Sequence, residues 1–127
     1  MSIERLSPVE LRPSPLYSHV VRTGNLVFIA GQVAQDAAGQ MVGAGDFQTQ
    51  AAQVFENLSH ALACVGASLR HLVKITIYIT DPRFRDSLRE INQRYLPTDQ
   101  PTSTLLVVAG LARPEYLIEI DAVAALD

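Results

Sequence analysis

Residues 73–80 read Val-Lys-Ile-Thr-Ile-Tyr-Ile-Thr, a strict two-residue alternation. Only a β-strand sends every second side chain to one side. Val73, Ile75, Ile77 and Ile79 are therefore expected on one face, with Lys74, Thr76, Tyr78 and Thr80 on the other. The β-branched content strengthens the strand reading. Asp81-Pro82 follows at once, with Asp81 suited to an N-cap and Pro82 to the first helical position, where its missing N–H costs nothing. Phe84, Leu88, Ile91 and Tyr95 then recur at spacings of three and four, and Pro97 ends the run. A half-apolar strand feeding straight into an amphipathic helix restricts the chain to folds that mix α and β.

The rest of the sequence extends this pattern. Asp46 is a second N-cap, followed by Phe47, Ala51, Val54, Leu58, Ala61 or Leu62, and Val65, with Gly66 as a helix end. Two β-prone runs flank Thr23-Gly24-Asn25 and imply a hairpin, and Gly39 marks a further turn. Two more strands are expected over 103–111 and 116–125. In the second, Ile118, Ile120, Ala122 and Ala124 share one face, and Leu117, Glu119, Asp121 and Val123 the other. Residues 1–16, with Pro8, Pro13 and Pro15, read as an irregular lead-in to a single domain spanning 1–127. The expected order is β-β-α-β-α-β-β: an α+β fold whose mixed sheet carries two helices on one face.

Two helices leave the other sheet face uncovered. Hydrophobic residues make up 48% of the chain and charged residues 18%. That balance favours packing the spare face against other copies over leaving it in water. The net charge of −3 and the lack of any Lys/Arg run argue against a nucleic-acid partner. No apolar run is long enough to span a membrane, and the N-terminal residues lack a signal-peptide core. With a single cysteine, no intrachain disulfide can form. A cytoplasmic protein is the expectation.

The chemistry-bearing residues are few. His60 and Cys64 sit one helical turn apart, but two ligands make no metal site, and a buried thiol serves as a small hydrophobe. No phosphate loop or serine elbow occurs. What remains is a polar set near strand ends: Tyr17, His19, Gln32, Thr102, Ser103, Thr104, Glu119 and Asp121. Glu119 interrupts an apolar run. A carboxylate there must be solvated, paired (Lys74 being a candidate), or placed at a cleft where a raised pKa lets it move protons.

Three stretches carry a family resemblance: "YSHVVRTGNLVFIAGQVAQD", "QAAQVFENLSHALACVGASLRHLVKITIYITD" and "PTSTLLVVAGLARPEYLIEIDAVA". Together they resemble the Rid superfamily, the YjgF-type reactive intermediate deaminase A group often labelled endoribonuclease L-PSP, over about residues 15–125. The resemblance implies a chorismate-mutase-like fold and a homotrimer with a barrel-like centre. It also implies clefts between subunits where an imine or enamine is hydrolysed to a ketone and ammonia, without cofactor or metal. Residue by residue, it makes Glu119 the catalytic candidate. Tyr17, Gly31, Thr102, Ser103 and Thr104 become substrate-binding candidates.

One departure stands out. The family's arginine in P-A-R-S/T falls on Ser103 here, and Ala30 replaces the serine before Gly31. An arginine grips a carboxylate with a two-pronged fork, whereas serine offers one uncharged hydroxyl. Losing such a pair costs roughly 2–5 kcal/mol, or about 30- to 4000-fold in binding or rate. Three outcomes stay open: a substrate without the carboxylate, compensation by Arg113 or Arg22, or a trimer that binds small molecules, or acts like a chaperone, without turning them over.

Overall fold

The alternating strand becomes part of a six-stranded sheet in the computed structural model, which describes residues 2–127; Met1 lies outside the described residues. The strands are β1 Ile3–Leu6, β2 Val20–Thr23, β3 Leu26–Gln32, β4 Leu72–Ile79, β5 Thr102–Val107 and β6 Ile118–Ala125. The helices are α1 Phe47–Ala63 and α2 Arg85–Tyr95. In space the strands run β1-β2-β3-β6-β4-β5. β6 pairs antiparallel with both β3 and β4, so the last strand of the chain lies inside the sheet. β5 pairs parallel with β4 and forms one edge.

Both helices cover one face. Phe47, Ala51, Val54, Leu58, Ala61 and Leu62 of α1, with Leu88 and Ile91 of α2, join Ile75, Ile77, Ile79, Ile118 and Ile120 in one buried cluster. Each fully buried aliphatic side chain contributes about 1.5–3 kcal/mol. The Asp46 side chain accepts from the Thr49 N–H, and Asp81 accepts from the Arg83 N–H, so both expected N-caps form. Pro82–Phe84 is a 3₁₀ turn that leads into α2. Gly66 takes φ +73°, and the neighbouring Ala67 N–H closes back on the Leu62 carbonyl at 2.9 Å.

Three local expectations need correction. Residues 1–16 are not wholly irregular, because Ile3–Leu6 pairs with Val20–Thr23 as an added edge strand. Four residues without a strong apolar pattern gave no local sign of a pairing that depends on a distant partner. Val73 does not share the core face with Ile75: the register against β6 shifts between Leu72 and Lys74, Leu72 enters the core, and Val73 is exposed. Such a bulge moves one residue out of the alternation. Cys64 is exposed rather than buried, and its Sγ–H donates to the Ala61 carbonyl at 3.0 Å.

Candidate functional site

The uncovered face is half apolar and half polar. Side chains paired across strands share a face, so Tyr78 of β4 sits between Glu119 of β6 and Leu106 of β5. Thr76 likewise sits between Asp121 and Thr104, and Lys74 between Val123 and Thr102. Tyr78 donates its hydroxyl proton to Asp121 Oδ2 at 2.9 Å, which holds the phenol proton more firmly than usual. Lys74 donates to Thr76 Oγ1 at 3.2 Å and forms no ion pair with Glu119.

Glu119 lies directly over Gly31. A Cβ added at Gly31 would stand 2.1 Å from Glu119 Oε2, so the carboxylate occupies the space that any other residue would fill. The β3–β6 register shifts between Ile29 and Gln32, and this irregularity presents the Gly31 backbone to β6. Among the described residues, Glu119 has no hydrogen-bond or salt-bridge partner. Partial burial raises its pKa above the ordinary 4.5, and the neighbouring Asp121 charge adds to the effect. The result is a half-buried carboxylate that holds a proton more readily than usual and keeps its oxygens free.

Two buried amides of α1 position the segments around this pair. Gln50 donates to the Gly43 and Glu115 carbonyls at 3.2 and 2.9 Å and accepts from the Leu117 N–H at 2.9 Å, fixing the start of β6. Asn57 donates to the Val33 and Gln35 carbonyls, both at 3.0 Å, fixing the chain after β3. Residue-level reading assigned neither a role. Their signal was present: Gln50 and Asn57 are polar residues at spacings that place them on the buried side of an apolar helix.

His19 and Gln32 are buried and engaged with each other. Gln32 Nε2 donates to His19 Nδ1 at 3.1 Å, and His19 Nε2 donates to the Arg12 carbonyl at 2.5 Å. They tie the N-terminal segment to β3. Tyr17 is 50% exposed and meets the His19 ring edge-on at 5.4 Å, although residues 17–19 precede β2 rather than belonging to a strand. Tyr17 also lines a cavity of about 260 Å³ with Arg12, Arg113, Gln35 and Tyr116. The Arg113 guanidinium lies 6.0 Å from the Tyr116 ring centre. Arg22 instead donates its Nε–H to the Gly24 carbonyl at 3.2 Å and serves the hairpin turn.

The hydroxyl patch is divided by its own strand. Thr102 and Thr104 point to the open face, while Ser103 pairs with Ile75 and points to the helix-covered side. There Ser103 lines a groove between α2 and β5 with Arg85, Arg89 and Asn92. Ser103 and Glu119 therefore lie on opposite faces of one sheet. Among the described residues, no group of three His, Cys, Asp or Glu is placed to hold a metal ion. No described helix is long and apolar enough to cross a membrane.

Known proteins share this fold. A family model described as endoribonuclease L-PSP matches residues 8–126. A RutC family protein of Pyrococcus horikoshii is 33% identical over 117 residues, covering 91% of this chain and 92% of its own. The 3-aminoacrylate deaminase RutC of Acinetobacter baylyi is 31% identical over 114 residues, 88% of this chain and 90% of its own. The crystal structure of RidA from an Antarctic Psychrobacter superposes with a TM-score of 0.90 at 27% identity, covering 97% and 99% of the two chains. The chain belongs to the Rid/YjgF superfamily, the family described as endoribonuclease L-PSP.

Proposed function

We propose that this protein is a divergent imine/enamine deaminase of the cytoplasm, acting on a small metabolite in a cleft between copies of the chain. In this reading water adds to the C=N carbon while the nitrogen gains a proton. The carbinolamine then collapses, the carbonyl forms, and ammonia leaves. An enamine first takes a proton on carbon. Glu119 handles these protons and positions the water, and Gly31 leaves the carboxylate its space. Tyr17, Thr102, Ser103 and Thr104 line the cleft. The step needs no oxidant or reductant.

The observation that carries this reading is the unpaired, half-buried Glu119 carboxylate over Gly31, with its raised pKa. A carboxylate of that kind, its pKa raised by burial, is suited to general acid–base work. The relatives named as deaminases support the reaction class. A second copy is part of the proposal because one protomer turns Ser103 and Glu119 to opposite faces. The open face also exposes Ile3, Leu26, Phe28 and Leu106, apolar surface suited to a homotrimer whose sheets meet around a barrel-like centre.

The test is ammonia release from 2-iminopropionate and from carboxylate-free imines, each generated in the assay. The expected result is release that drops about 100- to 10,000-fold in Glu119→Gln. No release from any imine, with the assembly intact, sinks the proposal. Ser103, uncharged where the resemblance places arginine, favours a second reading: a small-molecule-binding or chaperone-like trimer without turnover. A ligand then stays chemically unaltered in the cleft, and Glu119→Ala abolishes its binding.

A further inference from the structure

Tyr78, Glu119 and Asp121 share the open face as adjacent oxygen-bearing side chains. Glu119 and Asp121 are two residues apart on β6 and so point to the same side. Across the β4–β6 pairing, Tyr78 lies opposite Glu119 and Thr76 opposite Asp121. The phenol does not bond to the carboxylate it faces. It reaches diagonally and donates to Asp121 Oδ2 at 2.9 Å, a reach that long side chains have across a strand pair. Two like acids thus lie on one strand with one donor beside them, and that donor is committed to Asp121. Glu119 has no hydrogen-bond partner among the described residues.

The rest of this face keeps the asymmetry. Lys74 gives its Nζ to Thr76 Oγ1 at 3.2 Å and, among the described residues, forms a salt bridge with neither carboxylate. The strands on either side of this pair bring no ionisable group: β3 is Leu-Val-Phe-Ile-Ala-Gly-Gln and β5 is Thr-Ser-Thr-Leu-Leu-Val. His19, with Tyr17 against its ring, is held by Gln32, whose partner Ile120 belongs to the helix-covered face. A phenol hydrogen donated to a carboxylate oxygen favours the ionised acceptor, and a fixed negative charge two residues away disfavours a second one at Glu119. Such a pair titrates as a unit, and its surroundings decide which member keeps the proton.

We propose that Tyr78 assigns the proton within this pair: by holding Asp121 as the anion it leaves Glu119 as the acid. Tyr78 and Asp121 are then positioning residues, acting on the reaction only through Glu119. Two tendencies agree with this. Burial, and after it the Asp121 charge, raises the Glu119 pKa. The hydrogen bond to Asp121 is the largest cause raising the Tyr78 pKa, so the phenol stays a donor wherever Glu119 titrates. This inference deepens the deaminase reading, and rests on it only for the use made of the proton.

The experiment is a carbon-13 NMR titration of the side-chain carboxyls in the intact protein, with the Glu119 signal identified by its absence in Glu119→Gln. Ammonia release is measured over the same pH series. In the parent, Glu119 should titrate in one step with a midpoint above 4.5. Asp121→Asn, nearly isosteric, should move that midpoint down toward 4.5 without reaching it, because burial remains. Tyr78→Phe removes one oxygen and keeps the ring. Glu119 should then titrate in two steps, as the proton is shared with Asp121. In each variant the limb of the ammonia-release profile governed by Glu119 should follow the Glu119 midpoint, a readout that a merely structural role leaves fixed. Unchanged thermal melting verifies folding, and either variant alone decides if the other fails to fold. A Glu119 midpoint unmoved in Asp121→Asn, or parent-like titration of Glu119 in Tyr78→Phe, overturns the proposal. Ammonia release whose pH profile ignores a moved midpoint also overturns it and leaves the deaminase reading standing. The expected midpoints in a protein that releases no ammonia support the proton assignment and remove the deaminase reading.

Discussion

The two faces of β6 are made by alternate residues of one strand, yet they obey different rules. Ile118 and Ile120 are wholly buried under the helices, satisfied by packing alone. Glu119 and Asp121 alternate with them in sequence and are only partly buried on the uncovered face. The covered face spends its residues on stability. The open face holds a carboxylate with a raised pKa, a Tyr78–Asp121 hydrogen bond and exposed Phe28 and Leu106. Polar groups tolerated there must be repaid by a solvent, a ligand or another copy of the chain. Stability and chemistry are thus separated by the thickness of a single strand.

The sharpest way to break this comparison is to swap effects between the faces. Glu119→Gln should lower ammonia release about 100- to 10,000-fold without any loss of stability in urea unfolding; a large loss of stability would show that the open face is structural after all. Ile120→Ala should do the opposite, costing about 2–5 kcal/mol in denaturant unfolding because the site is fully buried. Phe28→Glu places a charge on the open face and should reduce the mass measured by sedimentation to that of a single chain. An unchanged mass would remove that face from the proposed trimer contact.

Smaller effects test how Glu119 is seated. Gly31→Ala puts a methyl where the carboxylate now lies, so it should displace Glu119 and depress ammonia release more than it depresses melting temperature. Retained activity would mean that the seat over Gly31 is irrelevant. The pH dependence is the finest probe. Because burial raises the folded-state pKa of Glu119 above 4.5, its contribution to stability is full below that value and is lost as pH rises through the folded pKa. Glu119→Gln should therefore gain stability over the parent at neutral pH, and this gain should vanish in acid. A gain that is the same at both pH values would contradict the desolvated carboxylate.

Much of the helix-covered face was legible in the sequence. The alternation of 73–80, the two Asp N-caps and the faces of Ile118–Ala125 all follow from the periods of strand and helix. Val73 escaped because a bulge depends on how β4 registers with β6, and β1 escaped because its partner lies distant in sequence. Of the site, Glu119 and Gly31 could be singled out, one as a charge within an apolar run and both through the resemblance. That they touch follows only from the register irregularity opposite β6. Arg85, Arg89 and Asn92 carried no motif. On an amphipathic helix they read as solvated positions beside the Phe84-Leu88-Ile91-Tyr95 stripe.

Local covalent geometry decides which side of a helix or strand each residue occupies, so the sequence by itself determined the elements, their apolar faces and the uncovered sheet face. Strand order and register arise from contacts between residues far apart in the chain, which no local period encodes. The tertiary structure alone therefore inserted β6 between β3 and β4, seated Glu119 over Gly31, and turned Ser103 away from Glu119 toward the arginines of α2.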